Sequence, residues 1–161
     1  MKIVFIGDIV GRSGREAVKE NIFELKKKYV PDVIVANAEN AASGYGLTKK
    51  IALELFQLGV NVITLGNHAW DKREMLSYIE ECPKIIRPIN YPKGVPGRGE
   101  YKFVLEDGRS IIVIQVMLRL FMHISLDDPS GAGNGWEIRV LEAYPKTISP
   151  VQLGWAMNDE Y

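Results

Sequence analysis

The first half of the chain repeats one hydrophobic pattern: a short β-branched run, a loop rich in Gly, Asn or Asp, and then apolar residues at helical spacing. This is the rhythm of βαβ units. Lys2 to Ile6 reads as a first strand. Ser13, with Glu16 three residues on, reads as a capping box for a helix that runs to about Tyr29, with Val18, Ile22, Leu25 and Tyr29 on the face turned to a sheet. Asp32 to Ala36 follows Pro31 as a second strand, too uniformly apolar to be half exposed. Thr48 caps a second helix with Ile51, Leu55 and Leu58 inward and Gly59 as its stop, and Val60 to Leu65 is a third strand. Asp71 then reads as the cap of a third helix through Glu81, closed by Cys82-Pro83.

Beyond Lys84 the rhythm changes. Arg87 to Gly99 is a long Pro- and Gly-rich loop, and Tyr101 to Val116 reads as a hairpin turning at Asp107-Gly108. Residues 128–135 are linker-like, and Glu137 to Tyr161 shows no clean period. The expected organisation is an α/β core over 1–125 and an irregular C-terminal segment over 126–161 that belongs to the same domain, truncated or altered. At 161 residues, 47% hydrophobic and 25% charged, the composition is that of a globular domain. Lys and Arg balance Asp and Glu at 20 each, which leaves no chain-wide electrostatic footprint for nucleic acid or anionic lipid. Charged residues interrupt every apolar run, and the single cysteine, Cys82, forms no intrachain disulfide, so a cytoplasmic protein with no membrane segment is expected. A homo-oligomer is left open.

Chemistry-bearing residues fall where each of the first three strands ends: Asp8, then Glu39-Asn40, then Asn67-His68. Right-handed crossovers make these strands parallel, so all three loops open on the carboxyl edge of the sheet, where α/β proteins hold ligands. Two carboxylates brought together repel unless a cation lies between them. The amide oxygens of Asn40 and Asn67 add hard donors suited to Mg²⁺, Mn²⁺ or iron. Each piece alone has a plainer explanation: a turn at Gly7-Asp8, loop amides capped by Glu39-Asn40, a tight turn at Gly66-Asn67-His68. Their co-occurrence at three successive strand ends favours a site. Gly7, Gly11 and Gly14 make neither a dinucleotide fingerprint nor a P-loop. Lys26-Lys27-Lys28 reads as a solvated helix C-terminus, His123 as a histidine without ligand-like neighbours, Cys82 as a packing residue, and Trp70, Trp136 and Trp155 as anchors.

Gly7-Asp8-Ile9-Val10-Gly11, the run Ala38 to Gly46 and Gly66-Asn67-His68-Ala69-Trp70-Asp71 resemble the motifs of the calcineurin-like metallophosphoesterases. More narrowly they resemble the bacterial phosphodiesterases of that family that act on 2′,3′-cyclic nucleotides, as does the run Arg87 to Pro92. The likeness runs from Met1 to about Met122. It implies a layered metallophosphoesterase fold and a dinuclear centre of iron or manganese, with magnesium as a further candidate. In that centre Asp8 binds one metal, Glu39 bridges both, Asn40 and Asn67 each complete a coordination sphere, and His68 protonates the leaving group. Two cations about 3.5–4 Å apart activate a nucleophilic water and neutralise phosphate oxygens in such a site.

The family's second half adds three histidine ligands in Asp-Phe-His and Gly-Thr-His-Thr-His motifs, whereas this sequence holds only His68 and His123. Residues 152–156 faintly resemble the helix that precedes the second motif. Weak or single metal occupancy is therefore expected. The function implied is a metal-dependent phosphodiesterase with a small phosphodiester or cyclic-nucleotide substrate. The alternative is a non-catalytic metal- or nucleotide-binding domain that lacks the histidines.

Overall fold

A computed structural model describes residues 1–117 and 153–158 of the chain. The chain order is β1 (Ile3–Ile6), α1 (Gly11–Tyr29), β2 (Val33–Asn37), α2 (Lys49–Gln57), β3 (Val62–Thr64), α3 (Met75–Glu81), β4 (Ile85–Ile86), β5 (Glu100–Val104), β6 (Ser110–Val116) and β7 (Leu153–Asn158). The first four strands form a parallel sheet in sequential order, with Ile3 opposite Val33, Val35 opposite Val62 and Ile63 opposite Ile85. The last three form an antiparallel sheet in which β6 is central.

These elements stack in three layers. One face of the parallel sheet, through Ile34, Ala36, Ile63 and Ile85, buries against Val18 and Ile22 of α1, Ile51 and Leu55 of α2, and Met75 and Ile79 of α3. The opposite face, through Val33, Val35, Val62 and Ile86, meets Ile111 and Val113 of β6. Because β2 is covered on both faces, all five of its residues are buried, and the apolar run Val33 to Ala36 follows from that position.

The structure corrects several helix starts. No side chain caps α1: the helix begins at Gly11, which takes φ +56° and donates its N–H to the Asn40 carbonyl. Backbone from a neighbouring loop thus replaces the expected Ser13–Glu16 box, and Glu16 instead pairs with Arg12. Tyr29 is exposed rather than packed on the sheet. Thr48 does cap α2, accepting from the Ile51 N–H. Asp71 does not cap α3, which starts four residues later, because its carboxylate is taken by His68. Lys26 is not a purely solvated charge, since its ammonium bonds the Leu58 carbonyl at the end of α2.

The two-residue β4 was missing from the pattern because so short a strand carries no period. The loop after it is tied down by a bridge between Ile86 and Arg98 and by the Ile89 N–H on the Gln115 carbonyl. The hairpin turns where expected, with Gly108 at φ +88°. Residues 153–158, read as aperiodic and faintly like a helix, form a strand along β6. His123, Trp136 and the linker-like run 128–135 lie outside the described residues.

Candidate metal centre

Parallel pairing of β1, β2 and β3 brings their carboxyl ends to one edge, and the loops there are sewn together by backbone hydrogen bonds. The Ile9 N–H reaches the Asn37 carbonyl, the Gly11 N–H that of Asn40, and the Ala38 N–H that of Thr64. The five candidate residues sit on these loops. Asp8, exposed, follows β1; Glu39, buried, and Asn40 follow β2; Asn67 and His68 follow β3.

Asn40 Nδ2 donates to Asp8 Oδ1 at 2.7 Å, so the first two loops meet through side chains. The amide thereby fixes one carboxylate oxygen of Asp8. Glu39 is 2% exposed, an expensive place for a carboxylate. It accepts backbone N–H groups from Asn67 and His68, the latter at 3.3 Å. Burial holds its pKa above the usual carboxylate range, and the negative charge of Asp8 adds to the rise against the lowering effect of the amides and His68. A cation between the two carboxylates would oppose both causes.

Glycine at 66 is what lets Glu39 lie so close to the third loop, since a Cβ there would overlap both carboxylate oxygens and the Cδ of Glu39. Nearby, the Tyr91 hydroxyl donates to the Gly66 carbonyl at 3.4 Å. Its pKa is pushed up to about 12, first by burial and then by the charges of Glu39 and Asp71. The Tyr91 ring packs on Trp70 with centroids 4.7 Å apart, which gives Trp70 the anchoring role expected of it.

His68 Nδ1 lies 2.6 Å from Asp71 Oδ2, which orients the ring and leaves Nε2 as the nitrogen available to a ligand. Sequence reasoning missed this partner, although a spacing of three residues in His68-Ala69-Trp70-Asp71 is short enough for a turn to close it. Among the described residues no three or more His, Cys, Asp or Glu side chains are grouped to hold a metal ion. The oxygen donors these loops offer a cation are the carboxylates of Asp8 and Glu39 and the side-chain amide of Asn40, which is bonded to Asp8, while Asn67 meets Glu39 through its backbone N–H. Such a set of hard oxygens fits one hard divalent cation.

The fold and this edge define a metallophosphoesterase-type α/β protein. The chain belongs to the YmdB-like protein family, whose pattern it matches over residues 4–148. It is 47% identical over 129 residues to a 2′,3′-cyclic-nucleotide 2′-phosphodiesterase of Bacillus subtilis, covering 80% of this chain and 48% of that protein. A putative phosphatase/phosphodiesterase of Mycoplasma pneumoniae is 40% identical over 56% of this chain and 32% of its own length. Among solved structures, a hypothetical protein from Thermus thermophilus superposes with a TM-score of 0.75 at 40% identity, covering 82% of this chain and 50% of the other. A phosphatase from Mycoplasma pneumoniae superposes at 0.73 and 30% identity, covering 80% of this chain and 47% of the other. The chain thus spans about half the length, or less, of these relatives. No helix among the described residues is long and apolar enough to cross a membrane.

Proposed function

We propose that this edge is the catalytic site of a metal-dependent phosphodiesterase acting on cyclic nucleotides or related small phosphodiesters. The observation that carries the reading is a buried carboxylate, Glu39, that feels the charge of a second one, Asp8, at the carboxyl edge of the sheet, beside a histidine whose ring is held through Nδ1 by Asp71. The names of the relatives support the substrate class. Asp8, Glu39, Asn40 and Asn67 would hold the metal, iron or manganese first and magnesium next. A divalent ion held there supplies Lewis acidity toward phosphoryl oxygens and a nucleophilic water near neutral pH.

The chain's own residues account for the rest. Asn40 keeps Asp8 oriented, and the backbone amides of Asn67 and His68 keep Glu39 turned toward the third loop. Asp71 holds His68 through Nδ1, so that the proton given to the departing ribose oxygen comes from Nε2. With the oxygen donors of the described residues alone, occupancy would be weak or single and turnover slow. That no three His, Cys, Asp or Glu side chains among the described residues are grouped to hold a metal favours a second reading, a binding domain that takes one cation or a nucleotide without turning it over.

Hydrolysis of bis(p-nitrophenyl) phosphate with Mn²⁺, measured alongside the melting temperature, separates the two. The wild-type chain should melt higher with Mn²⁺ and hydrolyse slowly, and Glu39→Gln should lose both effects. His68→Ala should lower turnover by about 10²–10⁴-fold and retain the Mn²⁺ effect on melting. Stabilisation by Mn²⁺ with no hydrolysis supports the binding domain, and a melting temperature blind to Mn²⁺ overturns the metal site itself.

A further inference from the structure

Tyr45 is 62% exposed, although it carries a large aromatic ring, and it stands beside His68 with ring centroids 5.4 Å apart and planes at 82°. Its loop is built to hold it there. Ser43, Gly44 and Gly46 take φ of +62°, +88° and +77°, conformations that cost free energy at Ser43 and suit glycine at the other two. The Gly44 N–H bonds the Asn40 carbonyl and the Ala42 N–H that of Gly46. Gly46 lies so near Asp71 and Lys72 that a Cβ would press on both. The turn that presents Tyr45 is therefore fastened at one end to Asn40 and at the other to the segment that orients His68. An aromatic ring left open to water at a site for nucleoside phosphates has an obvious class of partner, since every nucleobase offers a π-face.

We propose that Tyr45 is the base-recognition residue of this site, its ring stacking on the nucleobase of a nucleoside phosphate whose phosphoryl group lies at the Asp8–Glu39 edge. The assignment rests on the phosphodiesterase reading above and specifies its substrate as one that carries a base. Stacking makes no hydrogen-bond demand on the base edge, so the site accepts all four bases and binds purines more tightly than pyrimidines. Sequence reading passed over Tyr45 because a tyrosine between two glycines looks like an ordinary loop residue.

The test is calorimetric titration, in Mn²⁺, of the wild-type chain, Tyr45→Phe and Tyr45→Ala with two probes: adenosine 2′-monophosphate and ribose 5-phosphate, which lacks the base. Tyr45→Ala should weaken the nucleotide about tenfold and leave the sugar phosphate unchanged, while Tyr45→Phe keeps both affinities. Since Tyr45 is exposed and outside the core, the Ala variant should melt with the wild type. Equal losses on the two probes, or no loss on the nucleotide, would overturn the assignment. Wild-type chain that binds ribose 5-phosphate as tightly as the nucleotide also removes Tyr45 from recognition but leaves the phosphate site standing. Binding of neither probe would take down the phosphodiesterase reading together with the assignment.

Discussion

At the scale of single residues the site depends on one unusual burial. Glu39 is a carboxylate inside the protein, and the glycine opposite it is the reason it fits. Gly66→Ala should therefore force either the carboxylate or the third loop to move. We expect a loss of about 1–3 kcal/mol in urea unfolding, the range for an overpacked buried position, together with loss of stabilisation by Mn²⁺. An alanine variant as stable and as metal-responsive as the wild type would show that Glu39 has room to turn away. The placement of Asp8, Glu39, Asn40, Asn67 and His68 at one sheet edge was legible from sequence because strand-end position in parallel βαβ units suffices to set it. Their partners were not: the Asn40 to Asp8 bond and the Asp71 to His68 contact depend on loop conformations with no periodic signature. Tyr91, at the Gly66 carbonyl, arrives from a loop that pattern alone leaves featureless.

At the scale of elements, hydrophobic period gave the three helices and the first three strands, because each must bury one face or both. It failed at helix starts for a physical reason. A cap can be supplied by local side chains, which sequence shows, or by backbone from a distant loop, which it does not. Thr48 is the first kind and the start of α1 the second. The two cases predict different mutational costs. Thr48→Ala should lower stability by about 1 kcal/mol, the usual worth of a Thr cap, whereas Ser13→Ala, inside α1, should change it by a few tenths at most. Chemical denaturation of both variants checks this, and equal costs would mean that Ser13 supports the helix start after all. The same distinction explains why β7 escaped notice: its place is set by pairing along β6, and a strand defined by its neighbour needs no strong period of its own.

At the scale of the whole molecule, the parallel sheet carries the candidate site at its carboxyl edge and the antiparallel sheet covers one of its faces, so the contacts between sheets bear on how firmly that edge is supported. The apolar layer of Val33, Val35 and Val62 against Ile111 and Val113 is the main one. A polar clasp joins it at the rim: Arg109, just after the hairpin turn, bonds Asp32 before β2 at 2.7 Å and Asp107 at 2.6 Å. The Lys2 N–H also reaches Asp32. Hydrogen bonding to Arg109 holds both carboxyl groups below their usual range, with backbone bonds from Lys2 and Arg109 adding to the effect. A folded state that binds its carboxylate protons less readily than the unfolded chain gains stability as pH rises through that window. The clasp is thus fully effective above the ordinary aspartate pKa of about 3.9 and is lost as pH falls through the lowered values of the folded state. Since Asp107 is exposed and Asp32 only half-buried, salt should screen the contribution and keep it small. Arg109→Gln should therefore differ from the wild type in urea midpoint at neutral pH and low salt, and the difference should shrink both toward pH 3 and in 1 M NaCl. A gap that is the same at every pH and salt concentration would mean that Arg109 joins the sheets through the packing of its aliphatic stem, and that the apolar layer alone sets the support behind the site.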